Sequence, residues 1–363
     1  MKKICLPVFC CLLTLFSFSQ QTFFNQLPQD RFNEAKEYFQ KEQYNLAYPI
    51  LKELRQSLTE SDRINRGTVA QEIEYYAIVS ALKQNETNAE LDAEVYAGVT
   101  KNNARAQMMR FHLAEYLFRQ QRFSEAVPLY EGANIANLNN REVADMKFHQ
   151  GYSYFTLQQF AQAKPLLNAI RQVKTDPNYI DANYYYGFIA YRDRQYSDAL
   201  ASFRIVENEE QYAAIVPFYI TQINYAQGKK DEAIAYAENK LKEGKAQFYD
   251  LELRQLLGHA YFEKKQYSKA LPYLEAYVSK SKKVRREDLY ELSYSYYQAN
   301  NYAKAIDGFK QLSGKEDTLS LHAMYLLGDA YLKTGEKTAA RNAFLFSSSN
   351  NSNAAQREVA RFN

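Results

Sequence analysis

Residues 151–167, GYSYFTLQQFAQAKPLL, and residues 187–203, GFIAYRDRQYSDALASF, decide how this chain folds. They start 36 residues apart and place the same kinds of side chain at the same offsets. A small residue opens each stretch (Gly151, Gly187), and Tyr154 or Ala190 follows three residues later. An aromatic comes six residues further on (Phe160, Tyr196), then Ala163 or Ala199, and finally Leu167 or Phe203. Spacings of three, four and seven gather apolar side chains on one helical face. The interval before the aromatic leaves room for a turn, so each stretch reads as a hairpin of two helices. The glycine lets the second helix approach closely, the alanine does so from the other side, and the aromatic plugs the turn.

Working outward, the pattern returns as Ala114, Leu117, Phe123, Ala126 and Tyr130, and again as Gly258, Tyr261, Tyr267, Ala270 and Leu274. Gly328, Tyr331, Ala340 and Phe344 form a further copy, with Gly335 in its turn. The anchoring alanine recurs at 47, 89, 126, 163, 199, 233, 270, 305 and 340, at intervals of 34 to 42 residues. Nine units at so steady a spacing mean one repeated element. A lone hairpin cannot bury its outer face, so the units must stack. Pro49, Pro128, Pro165 and Pro272 each stand two residues after the alanine, which places them near the first turn of the second helix, where a missing N–H costs least. Ser124, Ser197 and Ser268 stand two residues before it, as N-caps would. The unit around Ala77 and Ala89 is the most degenerate, and a second helix over 88–99 is its weakest element.

Composition agrees. Of 363 residues 46% are hydrophobic, enough to bury a core, and the sparse Gly (12) and Pro (8) suit long helices. The 32 Tyr and 22 Phe, with no Trp, make the packing or binding surface aromatic with polar tips.

The start of the chain reads as a secretory signal over 1–19. Lys2 and Lys3 precede an apolar run from Ile4 to Phe16, and Ser17 and Ser19 flank Phe18 ahead of Gln20. The run is shorter than the ~20 residues a bilayer span needs, so no transmembrane anchor is expected in the mature chain. Bulky Val8 and Phe9 before Cys10 and Cys11 argue against a lipid-attachment site. All three cysteines lie in this segment, which leaves the rest without thiol, disulfide or zinc-thiolate chemistry. The net charge of +3 includes Lys2 and Lys3, so the mature chain is near neutral and has no electrostatic footprint for nucleic acid. The basic run Lys280, Lys282, Lys283, Arg285 and Arg286 reads as a solvated loop between two units.

These residues closely resemble the tetratricopeptide repeat (TPR) family, from about Pro28 to Ser347. Arg110, Lys147 or Leu289 stands where the family's first helix often begins with Trp. The composition and short signal also resemble exported TPR proteins of the Bacteroidetes. The resemblance implies an all-α, right-handed superhelical solenoid of about nine hairpins over 20–348. Residues 349–363 start either a capping helix or a further repeat.

The resemblance further implies that positions 2, 5, 9 and 12 of each first helix line a concave groove. Position 5 is Phe111, Phe148, Tyr184, Phe218, Tyr290 and Tyr325; position 12 is Phe118, Phe155, Tyr191, Tyr225, Phe262 and Tyr297. Position 9, usually polar, carries Tyr152, Phe188, His259 and Tyr294. Aromatics at positions 5 and 12 also pack against neighbouring units, so Tyr152, Phe188 and Tyr294 are the sharper candidates for holding a protein or peptide partner. The family's carboxylate clamp needs Lys and Asn at positions 5 and 9, which are aromatic here, so capture of a chain terminus that way is not expected.

His112, His149, His259 and His322 lie in different hairpins without metal-ligand spacing, and His112 and His149 share a repeat position as packing or surface residues would. There is no HExxH and no Gly-rich phosphate loop. The expectation is a non-catalytic scaffold of the periplasm or cell envelope, with no cofactor, no metal and no small-molecule substrate. Two other readings are a glycan binder of the SusD-like kind, also built on TPR helices, and a structural spacer in a longer envelope protein. Regular spacing and the lack of Trp weigh against the first; the aromatic groove weighs against the second. Asp317, Thr318 and Leu319 match a short O-glycosylation signal of the same bacteria.

Overall fold

The computed structural model describes residues 28–59, 68–244, 246–314 and 317–348. Residues 1–19, read above as a signal, and the terminal segment 349–363 lie outside the described residues. Among the described residues the chain is all-α, with eighteen α-helices and no strand. In hairpin order these are α1 (Pro28–Gln40) with α2 (Tyr44–Ser57), α3 (Thr68–Gln84) with α4 (Ala89–Val99), and α5 (Asn103–Arg119) with α6 (Phe123–Glu131). Next come α7 (Asn140–Thr156) with α8 (Phe160–Ile170), α9 (Tyr179–Arg192) with α10 (Tyr196–Val206), and α11 (Val216–Ala226) with α12 (Lys230–Lys242). The last are α13 (Asp250–Glu263) with α14 (Tyr267–Lys280), α15 (Arg286–Gln298) with α16 (Tyr302–Lys310), and α17 (Thr318–Lys333) with α18 (Lys337–Ser348). The degenerate second helix is therefore present as α4.

Two compact units divide between Met146 and Lys147. Within each, consecutive helices pack on one another, and first helices also touch first helices: α1 on α3 and α3 on α5 in the first unit, then α11 on α13, α13 on α15 and α15 on α17 in the second. This is the consecutive pairing of a repeat solenoid. All nine anchoring alanines are at most 1% exposed, which confirms the register. The glycines show why a small residue is required at the close approach. A Cβ on Gly258 would lie 2.6 Å from Leu274 Cδ2, and one on Gly328 would lie 2.7 Å from the Phe344 ring.

The hairpin turns share one geometry. A left-handed residue follows each first helix, at Glu42, Asn85, Gln121, Gln158, Arg194, Gly228, Lys265, Asn300 and Gly335. The next N–H then bonds the carbonyl five residues back, as Gln159 to Tyr154, Gln195 to Ala190 and Glu336 to Tyr331. This is a Schellman closure, which satisfies carbonyls that the helix end would leave open.

Two sequence expectations need correcting. Helices α6, α10 and α14 begin at Phe123, Tyr196 and Tyr267, so Ser124, Ser197 and Ser268 lie inside the first turn and are not N-caps; Arg122, Gln195 and Gln266 hold the cap position with no side-chain bond. The Schellman turn hands the chain straight to the plugging aromatic, which itself starts the helix. The four prolines stand at the sixth helical residue, beyond the first turn. They are tolerated because both the proline and the residue four before it (Asn45, Ser124, Ala161, Ser268) are exposed, so water takes the freed carbonyl.

Candidate interaction face

The odd-numbered helices present repeat positions 5, 9 and 12. In the second unit these side chains are half-buried, except Phe148, which is 6% exposed, and Leu332, which is 42% exposed. Tyr152, Phe155, Tyr184, Phe188, Tyr191, Phe218, Tyr225, His259, Phe262, Tyr290, Tyr294, Tyr297 and Tyr325 thus keep part of each ring open to solvent.

The buried part of each ring meets the next hairpin. Tyr152 and Phe155 lie 5.0 and 4.8 Å from Tyr185 (ring centroids), and Phe155 lies 5.5 Å from Phe188. Phe188 and Tyr191 then meet Tyr219 at 5.8 and 5.3 Å, and Tyr219 meets Tyr249 at 5.9 Å. Tyr249 closes on Phe218 at 4.7 Å, while Tyr184 stacks on Tyr212 at 4.1 Å. From the end of α11 the row continues: Tyr225 near His259, Phe262 and Tyr290 each within 6 Å of Tyr294, and Tyr290 beside His322. Offset and edge-to-face contacts of this kind add about 0.5–1.5 kcal/mol each beyond area burial. The rings are therefore structural where they pack and part-exposed elsewhere.

Tyrosine hydroxyls fix the row laterally. Tyr225 donates to Glu263 (2.6 Å), Tyr297 to Asp329 (2.5 Å), Tyr212 to Asp181 (2.6 Å) and Tyr191 to Gln222. Burial first and the neighbouring carboxylate second push the phenols of Tyr225, Tyr297 and Tyr212 well above their ordinary range, so they stay protonated donors. His259 Nδ1 lies 2.5 Å from Glu291 Oε1, and that contact raises the imidazole's pKa against the opposing effect of burial. His322 shares a 2.6 Å hydrogen bond with Tyr290, and burial lowers its pKa.

The first unit treats the same repeat positions differently. In its third hairpin Phe111 is 2% exposed and Phe118 is half-buried. Position 9 is Glu115, buried, accepting from Tyr130 Oη at 2.7 Å. Here α3, α5, the α1–α2 turn and the start of α7 line a cavity of about 250 Å³ containing Tyr75, Tyr76, Lys83, Arg105, His112 and Glu142. Arg141 reaches Glu42 across it at 3.3 Å. Burial, reinforced by Lys83, Arg105 and Arg119, pushes His112 down to about 3, so its ring is neutral and bonds Tyr75 Oη at 2.9 Å. His112 is a packing residue. Among the described residues no group of His, Cys, Asp and Glu could hold a metal ion.

Sequence reading missed Tyr185, Tyr219, Tyr249 and Phe248. The first two sit one residue after position 5, and their rings bridge successive first helices. Phe248 lies in the loop before α13, its N–H bonded to Ala214 O and its side chain 71% exposed. A doubled or tripled aromatic, as at 184–186 and 248–249, is the signal that could have found them. The basic run is as expected in part: Lys280, Lys282 and Lys283 are exposed, whereas Arg285 pairs with Asp288 and Arg286 with Asp317. That same Asp317 N-caps α17 through Ser320 N, leaving Thr318 exposed.

Stacked hairpins with buried small residues at fixed offsets and an exposed row of first helices define a helical-repeat protein. One family model described as tetratricopeptide repeat matches residues 93–137, 148–214 and 289–345, and a second matches 251–279. Together they span more than half of the chain, which belongs to the tetratricopeptide-repeat family. Among curated proteins none matches the sequence. Similar solved structures include the C-terminal part of a TPR-repeat protein from Cytophaga hutchinsonii (17% identity, 68% of this chain and 98% of that one, TM-score 0.49). Another is YrrB, described as a TPR protein with an unusual peptide-binding site (17%, 54% and 97%, TM-score 0.45). The apo form of RapI is a third (14%, 93% and 98%, TM-score 0.44). Among the described residues no helix is long and apolar enough to cross a membrane.

Proposed function

We propose that this chain is a non-catalytic scaffold of the cell envelope that holds a peptide or protein segment on the first-helix face of its second unit. The observation that carries this reading is the row of half-buried rings running from α7 to α17, with Tyr152, Phe188 and Tyr294 at the usually polar position 9. Tyrosine and phenylalanine give large contact area at low entropy cost, and here packing already holds them in place before a partner arrives. Exposed Phe248 extends the same surface. The envelope setting rests on Lys2, Lys3 and the apolar run Ile4 to Phe16.

A photo-reactive residue in place of Phe188, crosslinked in cells, tests the reading. A discrete protein adduct is expected, lost when Tyr152 and Tyr294 are changed to Ala while helicity is retained. Adduct recovery unaffected by those changes sinks it. A specific glycan captured by the purified chain, with no protein adduct, would put the sugar-binding reading in its place.

A further inference from the structure

We propose that the partner segment is cationic, carrying Lys or Arg side chains that lie on the ring faces of the second unit between α9 and α17. This rests on the reading that the first-helix face is the binding surface. Its warrant is charge complementarity, visible in how the face disposes of its own ions.

Two carboxylates of the row take hydrogen bonds from neutral donors. Asp181 accepts from Gln211 and Tyr212, and Asp329 accepts from Tyr297. A phenol or an amide orients a carboxylate but leaves its negative charge in place. Glu263 receives Tyr225 and is paired with Lys230 at 2.9 Å, with His259 Nε2 at 3.9 Å. Glu252 and Glu287, both exposed, stand at position 2 of their repeats and add two more acids to the same helices.

The cations of these helices are already engaged. Arg254 is held by Asp250 on its own helix, and Arg286 by Asp317. Arg192 lies 4.1 Å over the Phe160 ring centroid. Lys333 stands in the last turn of α17, beyond position 12. At positions 2, 5, 9 and 12 of α9, α11, α13, α15 and α17 there is no Lys or Arg. Part-exposed rings, negative at the centres of their faces, therefore stand beside Asp181 and Asp329, whose hydrogen bonds come from neutral donors, a pairing that attracts a cation twice.

The second unit shows that its rings accept such guests. Arg171 sits 3.8 Å over Tyr186 and Arg204 sits 4.8 Å over Tyr236. Those guests come from second helices; the first-helix row has acids and rings in place and lacks the guest. An acidic segment would meet like charge at Asp181 and Asp329. A neutral apolar one would have to leave these carboxylates without compensation.

The experiment uses the full mature chain and three fluorescein-labelled twelve-residue peptides, alternating Arg, Glu or Ser with Ala, read by anisotropy. The Arg peptide is expected to bind about ten-fold tighter than the Glu and Ser peptides, with affinity falling as salt rises. The triple change Asp181→Asn, Glu263→Gln, Asp329→Asn keeps every acceptor for the tyrosines and should remove most of that preference. The control triple Asp198→Asn, Glu232→Gln, Asp307→Asn, on exposed sites of second helices, should leave it unchanged. Equal or tighter binding of the Glu or Ser peptide overturns the inference, as does no binding of any peptide or an equal loss in both triples. If that happens while the Phe188 crosslink still traps a partner, the charge argument falls and the scaffold reading stands.

Discussion

At position 5 of its third hairpin the first unit buries Phe111 to 2% exposure and follows it at position 9 with Glu115, sealed against Tyr130. At the same positions of α9 the second unit has Tyr184 and Phe188, both half-buried. The repeat is one, yet the first unit folds its row around an ionic cavity while the second leaves an aromatic surface. The difference lies in where hydroxyls and charges go. In the first unit they are internal: the Tyr75–His112 and Tyr130–Glu115 bonds are buried. In the second they run along the surface, phenol to carboxylate, from one first helix to the next. A TPR hairpin thus fixes the backbone frame and leaves the use of its inner row to a few side chains.

The harshest way to break this contrast is to remove what supports the open row. Phe203 is fully buried, stacked 5.4 Å from Tyr219, and lies four residues after its anchoring alanine, where the first unit has Tyr130. Phe203→Ala should cost about 3–5 kcal/mol. Hydrogen exchange should show the loss centred on α9 to α11, with the amides of α3 and α5 unaffected, because repeat stability is carried by nearest neighbours. Uniform loss over both units would show that the division at Met146 is not energetic.

Acid should separate the units next. His112 is depressed to about 3 in the fold against about 6.5 unfolded, so below pH 6.5 the unfolded state takes up a proton that the fold refuses. Its contribution is therefore complete above pH 6.5 and is lost as pH falls towards 3, by about 2 kcal/mol at pH 5. His259 has the opposite sign. Its raised pKa, set chiefly by Glu291, contributes stability that is full below pH 6.5 and fades as pH rises through the folded value. Exchange protection in α3 and α5 should weaken between pH 7 and 5, while α13 and α15 hold or gain. His112→Leu should flatten the first trend and leave the second.

Much of this was legible in the sequence, for a physical reason. Burial of Ala163 or Ala199 and the close approach at Gly187 are local demands of a hairpin, and a periodic sequence states them repeatedly. The Schellman turns were less visible, because Gln158, Arg194 and Lys265 adopt φ near +60° where glycine would ordinarily signal it. The packing of nearest neighbours outweighs that local strain. Tyr185, Tyr219 and Phe248 escaped for a different reason. They lie off the repeat's inner positions, and only the juxtaposition of successive hairpins brings their rings into the row.

Glycine offers a test in which the two units should differ in sign. At Gly258 an added Cβ meets Leu274, itself fully buried, and Leu274 N at 3.3 Å. Gly258→Ala should cost about 1–3 kcal/mol despite the roughly 1 kcal/mol that alanine gains in a helix. Gly98, near the end of α4 in the first unit, has nothing within 4 Å of its added Cβ. Gly98→Ala should gain about 0.5–1 kcal/mol. Urea titration of both variants checks the pair; the same sign in both would mean that helix propensity, not approach distance, governs these positions.

The smallest effect addresses the phenol–carboxylate pair directly, since both units use it at different depths. Tyr130 is fully buried and Glu115 is 7% exposed, so Tyr130→Phe removes a donor from a carboxylate that water reaches poorly. About 1–3 kcal/mol should be lost, the cost of removing a buried hydrogen bond to a charged group. Tyr297 and Asp329 are only half-buried, and water can replace the lost hydroxyl. Tyr297→Phe should therefore change stability by less than about 0.5 kcal/mol. If the surface hydroxyls hold the row in register for a partner, that variant should nevertheless weaken capture of the Arg peptide while leaving the urea midpoint in place. A Tyr297→Phe chain that binds like wild type would confine the role of the hydroxyl to the buried pair, and leave the rings and carboxylates to act alone.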